Sequence, residues 1–430
     1  MGERGDPRPG TRQLLSATIL SVGTELTAGE TRDTNAGDLA RSLTDAGVRV
    51  VRLQALPDDL ASVADAFARG LSEADLVVST GGLGPTPDDL TREAIASVSG
   101  EEPVVAPPLE EWLRGLWARR GLAFSDINLK QAWLIPSATA LSNEHGTAPG
   151  WWVDRPDGRV IVALPGPPRE MRPMWHDALG RLRARGLGRD ADVRTLRLTG
   201  IGESQVADLL GEPLLRARNP EVATYARADA VDVRIAAVSE PGLNGTVGRT
   251  AVAVADEAEA AVLATLGEYV WARGSETWPE AIGSRLVRLG WRLAMVEIAT
   301  AGALVGLLGE LPSLVRAEVR PALAEDDEDV ATIAADARRA GADVGLGIVA
   351  REWRGDTRVE VAVATEAGIH RERRVAFLGG PQGRSRAALA AAAILLAALD
   401  RAIAFGTRAD TVSAAGSNAS EAHETEEAPR

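Results

Sequence analysis

The chain has 430 residues, a formal charge of −14 and no cysteine. Disulfides, thiolate metal sites and thiol nucleophiles are excluded, and the acidic balance argues against nucleic acid or an anionic membrane as a partner. The length suffices for roughly two to four domains, each with its own core.

The four histidines (His145, His176, His370, His423) are scattered, and no two have metal-ligand spacing. No apolar run reaches the ~18 residues of a membrane span. The longest, residues 387–399, is alanine-rich and reads as a packed helix, and residues 1–13 carry charges, glycines and a proline with no apolar signal core. The expectation is a soluble, cytoplasmic protein.

In chain order, residues 17–22 read as a first strand, followed by a polar loop with Glu25, Asp33 and Asn35. Residues 35–46 read as a helix closed by Gly47, 48–56 as a strand, 59–70 as a helix and 75–80 as a strand. Strands alternating with helices imply an α/β fold with a mostly parallel sheet covered on both faces, and ligands then sit at the carboxyl ends of the strands. Glu25, Asp33, Asn35, Thr80 and Asp88 all fall at that edge.

The third strand runs into Ser79-Thr80-Gly81-Gly82-Leu83-Gly84-Pro85-Thr86-Pro87-Asp88-Asp89-Leu90-Thr91. A helix is expected over 89–97, with Asp88 as its N-cap. Glycines between strand and helix let backbone N–H groups approach an anion, and a helix N-terminus favours negative charge. Adjacent carboxylates repel a bare phosphate but suit a divalent cation bridging protein and diphosphate. The loop therefore has the chemistry of a site for a phosphorylated ligand plus metal, although a glycine-rich turn with solvated acids accounts for the short motif alone.

Farther on come a helix over 109–120, Asn128-Leu129-Lys130-Gln131, Gly146-Thr147-Ala148-Pro149-Gly150, and a strand over 160–164 entering Pro165-Gly166-Pro167-Pro168-Arg169-Glu170-Met171. Lys130 is the chain's single lysine. Arginine supplies all other fixed positive charge, so a retained ammonium is a functional candidate, the two cations not being interchangeable. Asn128 and Lys130 offer donors suited to phosphate or ribose oxygens.

The thirteen-residue string resembles the signature of the molybdopterin-binding-like domain of MogA, MoeA and CinA proteins. Together with Gly23-Thr24-Glu25-Leu26, Asp33-Thr34-Asn35 and the later segments, it resembles, in family order, the amino-terminal domain of the CinA (competence/damage-inducible protein A) family over residues 15–178. The resemblance implies metal- and potassium-dependent ADP-ribose pyrophosphatase activity and a homodimer. Pro87 departs from the histidine many members carry there. The roles it suggests are Asp88 and Asp89, with Asp33 and Glu25, on Mg²⁺, and Gly81, Gly82, Gly84, Thr80 and Thr86 around the diphosphate. Lys130 would neutralise the leaving phosphate, and Asn35, Asn128 and Gly166 would position it. Adenylyl transfer or binding of a molybdopterin-type ligand, and a non-enzymatic nucleotide sensor or scaffold, remain open alternatives.

Residues 179–272 are similar to the family's small α+β KH-like module. Gly242-Leu243-Asn244-Gly245 has the GxxG form, but 13 acids against 7 arginines over 190–270 make an RNA-clamping loop a poor fit. Residues 278–404 resemble the α/β carboxyl-terminal CinA domain, in many relatives a nicotinamide-nucleotide amidohydrolase. Where that family places its serine nucleophile this chain has Ile298, within Val296-Glu297-Ile298-Ala299-Thr300-Ala301-Gly302, and no lysine follows Lys130. A nucleophile and its base are both missing, so the deamidase is expected to be lost. Residues 406–430, rich in Ser, Ala and Glu, are expected to be disordered.

Overall fold

A computed structural model describes residues 12–227, 230–242, 248–321 and 329–420, with backbone alone over 406–420. The described residues of Met1–Val193 with Ala236–Ala255 form one compact unit, and those of Arg194–Ile235 with Asp256–Arg430 the other. The division between these two units falls inside the middle segment.

The first unit opens with β1 (Ser16–Val22), the short α1 (Thr24–Thr27), α2 (Asn35–Asp45), β2 (Arg49–Leu56), α3 (Leu60–Glu73) and β3 (Leu76–Thr80). It continues through α4 (Thr91–Ser99), β4 (Val104–Val105), α5 (Pro107–Arg119), a 3₁₀ turn (Asp126–Ala132), β5 (Trp133–Leu134), β6 (Ala138–Leu141), β7 (Gly150–Asp154), β8 (Val160–Leu164) and α6 (Pro168–Ala184). Six strands make one sheet in the order β2-β1-β3-β8-β7-β6. The first four are parallel and the last two antiparallel.

Local signals account for the boundaries. The Asp59 carboxylate accepts from Ser62 N at 2.9 Å and caps α3. Gly47 and Gly100, at φ +74° and +67°, close α2 and α4. Prolines at the first turn start α5 and α6. β3 and β8 are buried along their whole lengths, as expected of strands covered on both faces. On one face Ile19, Val78 and Val162 pack with Leu39 and Leu43 of α2 and Met171 and Trp175 of α6. On the other, Leu20, Val77 and Ile161 pack with Val63 and Phe67 of α3 and Ile95 of α4. The result is the expected three-layer αβα domain, in which each such buried side chain contributes about 2 kcal/mol.

β9 (Ala191–Leu198), α7 (Glu203–Leu215), β10 (Glu221–Ala226), β11 (Val231–Val238), α8 (Ala251–Leu266) and β12 (Val270–Arg273) follow, with strand order β10-β11-β9-β12. The GxxG loop lies mostly outside the described residues. The last part holds α9 (Trp278–Leu289), β13 (Leu293–Ile298), α10 (Ala303–Leu308), β14 (Leu314–Arg320), α11 (Val330–Arg339), β15 (Val344–Trp353), β16 (Asp356–Thr365), β17 (Gly368–Ala376) and α12 (Gly380–Ser420). Its sheet runs β14-β13-β15-β16-β17. Thr277 and Glu280 form a reciprocal capping box that starts α9.

Two expectations change here. Helix α4 begins at Thr91, with Leu90 at its N-cap, so Asp88 caps nothing. Helix α12 runs to Ser420, so the first part of the expected disordered tail is helical backbone, consistent with its alanines; residues 421–430 lie outside the described ones. The stretch Gly380–Phe405 is long and apolar enough to cross a membrane. Ala387, Ala391, Leu395 and Leu399 are nevertheless buried in the core of the last sheet, the pattern of a core helix.

Candidate functional site

The parallel register puts three strand ends side by side: Ser21 of β1 is paired with Thr80 of β3, and Thr80 with Leu164 of β8. The loops after these strands therefore share one edge, and they hold all the expected amino-terminal motifs except those of 128–150.

Polarity across this edge is set by Asn35. Its amide Nδ2 donates to the Gly166 carbonyl at 2.7 Å and to Thr80 Oγ1 at 2.9 Å, and the Thr80 hydroxyl donates to the Pro165 carbonyl at 2.9 Å. A carbonyl can only accept, so the amide orientation is fixed and both side-chain donors of Asn35 are spent. Its Oδ1 is buried without a partner, as is Asp33 Oδ2, while Asp33 Oδ1 accepts from Ala36 N at 2.9 Å. Asn35 braces two strand ends with both of its side-chain N–H groups.

The glycine loop is shaped from within. At Gly81 (φ +96°) a Cβ would come 2.0 Å from the Val22 carbonyl oxygen, at Gly82 (φ +65°) 2.4 Å from Thr91 Oγ1, and at Gly84 2.3 Å from Asp89 Oδ2. The protein's own atoms demand these glycines. The Gly81 N–H is also spent, donating to the Leu164 carbonyl at 3.0 Å. Among the described residues, however, nothing accepts from the N–H groups of Gly82, Leu83 or Gly84. Consecutive backbone N–H groups without a protein acceptor have the chemistry of an anion site. Gly166 differs from the loop glycines, since a Cβ there would meet nothing nearer than Gly81 Cα at 3.6 Å.

Asp89 closes the loop on itself, accepting from the N–H of Thr86 at 2.9 Å and from its hydroxyl. The Thr86 hydroxyl is thus occupied. It also favours the charged form of the exposed Asp88, whose carboxyl is held below the usual carboxylate range by Thr86 first, with Lys130 contributing. Asn128 donates one Nδ2 N–H to the Ser125 carbonyl at 3.0 Å, bracing its own turn, which leaves its second amide N–H unspent. Glu25 sits exposed on α1. Among the described residues no three His, Asp or Glu side chains are grouped to hold a metal, so Asp88, Asp89, Asp33 and Glu25 do not form a preassembled cage.

Lys130 is where the site gains a cation. Its Nζ lies 2.6 Å from Glu93 Oε1 and donates to the Thr86 carbonyl at 3.2 Å. Beneath the loop the fully buried Arg92 donates to the carbonyls of Leu83 at 2.8 Å and Pro149 at 3.2 Å, tying the glycine loop to the Gly146–Gly150 loop. Burial pushes its guanidinium down to about 10, so it stays charged at neutral pH. Gln131 Nε2 adds a second tie, to Thr147 Oγ1 at 3.1 Å. Arg92 and Glu93 escape sequence reading. One arginine among many carries no signal, and Glu93 reads as an ordinary first-turn acid. Only the lone lysine's need for a partner points to it.

Comparison with known proteins identifies the family. The domain family described as "Probable molybdopterin binding domain" matches residues 18–184, and "Damage-inducible protein CinA KH domain" matches residues 193–272. A CinA-like protein of Deinococcus radiodurans is 42% identical over 411 residues, covering 90% of this chain and 98% of the relative. The chain belongs to the CinA family. Another CinA-like protein, of Thermomicrobium roseum, is 40% identical over 371 residues, covering 83% of this chain and 89% of that one. The solved CinA protein of Thermoplasma acidophilum is 33% identical, covers 39% of this chain and 98% of that chain, and has a TM-score of 0.37.

In the last sheet, residues 296–302 lead from β13 into α10. The fully buried Glu297 carboxylate accepts from Leu304 N at 2.9 Å, Val305 N at 3.0 Å and the Thr300 hydroxyl, capping α10. Ala299 and Ala301 hold left-handed φ values of +62° and +54° on either side of Thr300. Ile298 packs with Val296, Ile333 and Ala334 in an apolar cluster.

Proposed function

We propose that the amino-terminal domain binds a phosphorylated nucleotide at the Gly82–Gly84 amides and hydrolyses its diphosphate, with ADP-ribose as the representative substrate. The observation that supports this reading is the run of three unspent backbone N–H groups at the sheet edge. Preorganised donors of this kind stabilise charge that develops on phosphate oxygens. Lys130 has one N–H beyond those given to Glu93 and Thr86, available to the departing phosphate. Asp88, held in its charged form, accepts a hydrogen bond from the attacking water. The water oxygen bonds to one phosphorus, one water proton stays on the new P–OH while the other passes by way of Asp88 to solvent, and the bridging P–O bond breaks with its electron pair on the departing phosphate oxygen. The products are AMP and a sugar phosphate.

The exposed Asp88 is a hard oxygen donor that suits a cation shared with substrate phosphates, since Mg²⁺ characteristically takes one or two carboxylates plus phosphate, and Asp33, whose Oδ2 is buried without a partner, would join it only by turning toward the ligand. Such a cation, with potassium as the resemblance implies, would supply charge neutralisation on the diphosphate. We also read the protein as a cytoplasmic homodimer with a deamidase-inactive carboxyl-terminal domain. A second reading, binding or adenylyl transfer of a molybdopterin-type ligand, has the support of the family description matching residues 18–184.

The test is AMP release from ADP-ribose and from an adenylyl-pterin by the full chain with Mg²⁺. Lys130→Ala and Asp88→Asn should each lower turnover of ADP-ribose about 100-fold. Wild-type rates in both variants would place the site elsewhere, and AMP from the pterin alone would favour the second reading.

A further inference from the structure

An ammonium on a flexible four-carbon stem acts at one place only if it is held there. Two of the three Lys130 donors go to the protein, at 2.6 Å to Glu93 Oε1 and 3.2 Å to the Thr86 carbonyl. Glu93 lies in the first turn of α4, next to Arg92, whose bond to the Leu83 carbonyl locks that turn under the glycine loop. The other carboxylate oxygen, Glu93 Oε2, is buried with no hydrogen-bond partner. The side chains of Lys130 and Glu93 are only 12% and 23% exposed. A mostly desolvated ion pair with one oxygen unsatisfied adds little net stability, so folding alone gives weak reason for it.

Resting on the reading of the glycine loop as a phosphate site, we infer that Glu93 is a positioning residue. It anchors Lys130 against Thr86, so that the remaining ammonium N–H stays at the loop where the phosphate binds. Glu93 touches no substrate and acts through Lys130. Cut off from Glu93, Lys130 keeps its charge but samples many rotamers, and the phosphate loses a fixed donor.

The experiment is a double-mutant cycle in the full chain, with Glu93→Ala, Lys130→Ala and the combined variant. It is read both as kcat/KM for ADP-ribose with Mg²⁺ and as ADP-ribose affinity by calorimetry. Lys130→Ala should cost about 100-fold and Glu93→Ala about tenfold, with the combined variant within about twofold of Lys130→Ala, because removing an anchor is harmless once its lysine is gone. Glu93→Gln, which keeps the shape, should show a smaller loss than Glu93→Ala and an unchanged melting temperature. Losses that multiply in the combined variant, or Glu93→Ala at wild-type level, would overturn the inference and leave the hydrolase reading standing. Binding without turnover in the wild type would sink the hydrolase reading while the affinity cycle still decides the role of Glu93. No binding of ADP-ribose by the wild type would overturn both.

Discussion

Gly81 and Gly166 face each other across the sheet edge, yet they are glycines for different reasons. A side chain at Gly81 would meet the Val22 carbonyl and a left-handed backbone, whereas Gly166 has room for a methyl group. Gly81→Ala should therefore cost about 3 kcal/mol in chemical denaturation. Gly166→Ala should leave the denaturation midpoint unchanged, and any effect it has should appear in ligand affinity. The residue types at this edge were legible from sequence as a cluster, but their division of labour was not. Asn35 and Thr86 carry donors a phosphate needs, and the fold uses their side-chain donors internally, while Asn128 spends one of its two amide N–H groups on its own turn. Hydrogen-bond direction between strand ends distant in sequence leaves no trace in local spacing. The amides that remain on the glycine loop belong to backbone, which no side-chain pattern announces.

At the scale of elements, helix starts and strand runs follow composition closely, and the exceptions are set by tertiary bonds. Asp88 looks like an N-cap by position, but Asp89 takes the Thr86 turn and postpones α4 to Thr91. Asp75, just before β3, joins elements that are remote in the chain. It accepts from Leu15 N, Ser16 N and the Ser16 hydroxyl, and pairs with Arg12 at 2.6 Å. Burial works against its charged form, but the Ser16 hydroxyl, Arg12 and the Leu15 N–H outweigh it and hold the carboxyl below its ordinary value. A folded pKa below the unfolded one means the unfolded chain takes up the proton first as pH falls. The stabilisation is thus present above the ordinary carboxylate range and lost on acidification through the lower folded value. Asp75→Asn should lower stability by about 2 kcal/mol at pH 7 in urea titrations. That gap should close as the pH falls below about 4, where the unfolded carboxyl is protonated.

For the whole molecule, the αβα layering and the CinA membership were readable from motif order, because alternating strands and helices admit few topologies. The break between compact units was not, since it depends on long-range pairing. In the carboxyl-terminal sheet Glu297 caps α10 and accepts from the Thr300 hydroxyl, while the neighbouring position is the apolar Ile298. The full chain should release no ammonia from nicotinamide mononucleotide. Ile298→Ser should not restore it, because a serine needs an activating base and the chain has no lysine after Lys130. Ammonia production by either protein would contradict this account.

Near the junction of β12 and α9, Trp271 and Trp278 lie face to face, centroids 3.7 Å apart and planes 4° from parallel, with Arg197 over Trp271. Two indoles so close and so aligned couple their electronic transitions, and both are shielded from solvent. The protein therefore carries its own optical gauge at this junction. Separation of that pair would change the chain's ultraviolet circular dichroism and fluorescence with no label attached.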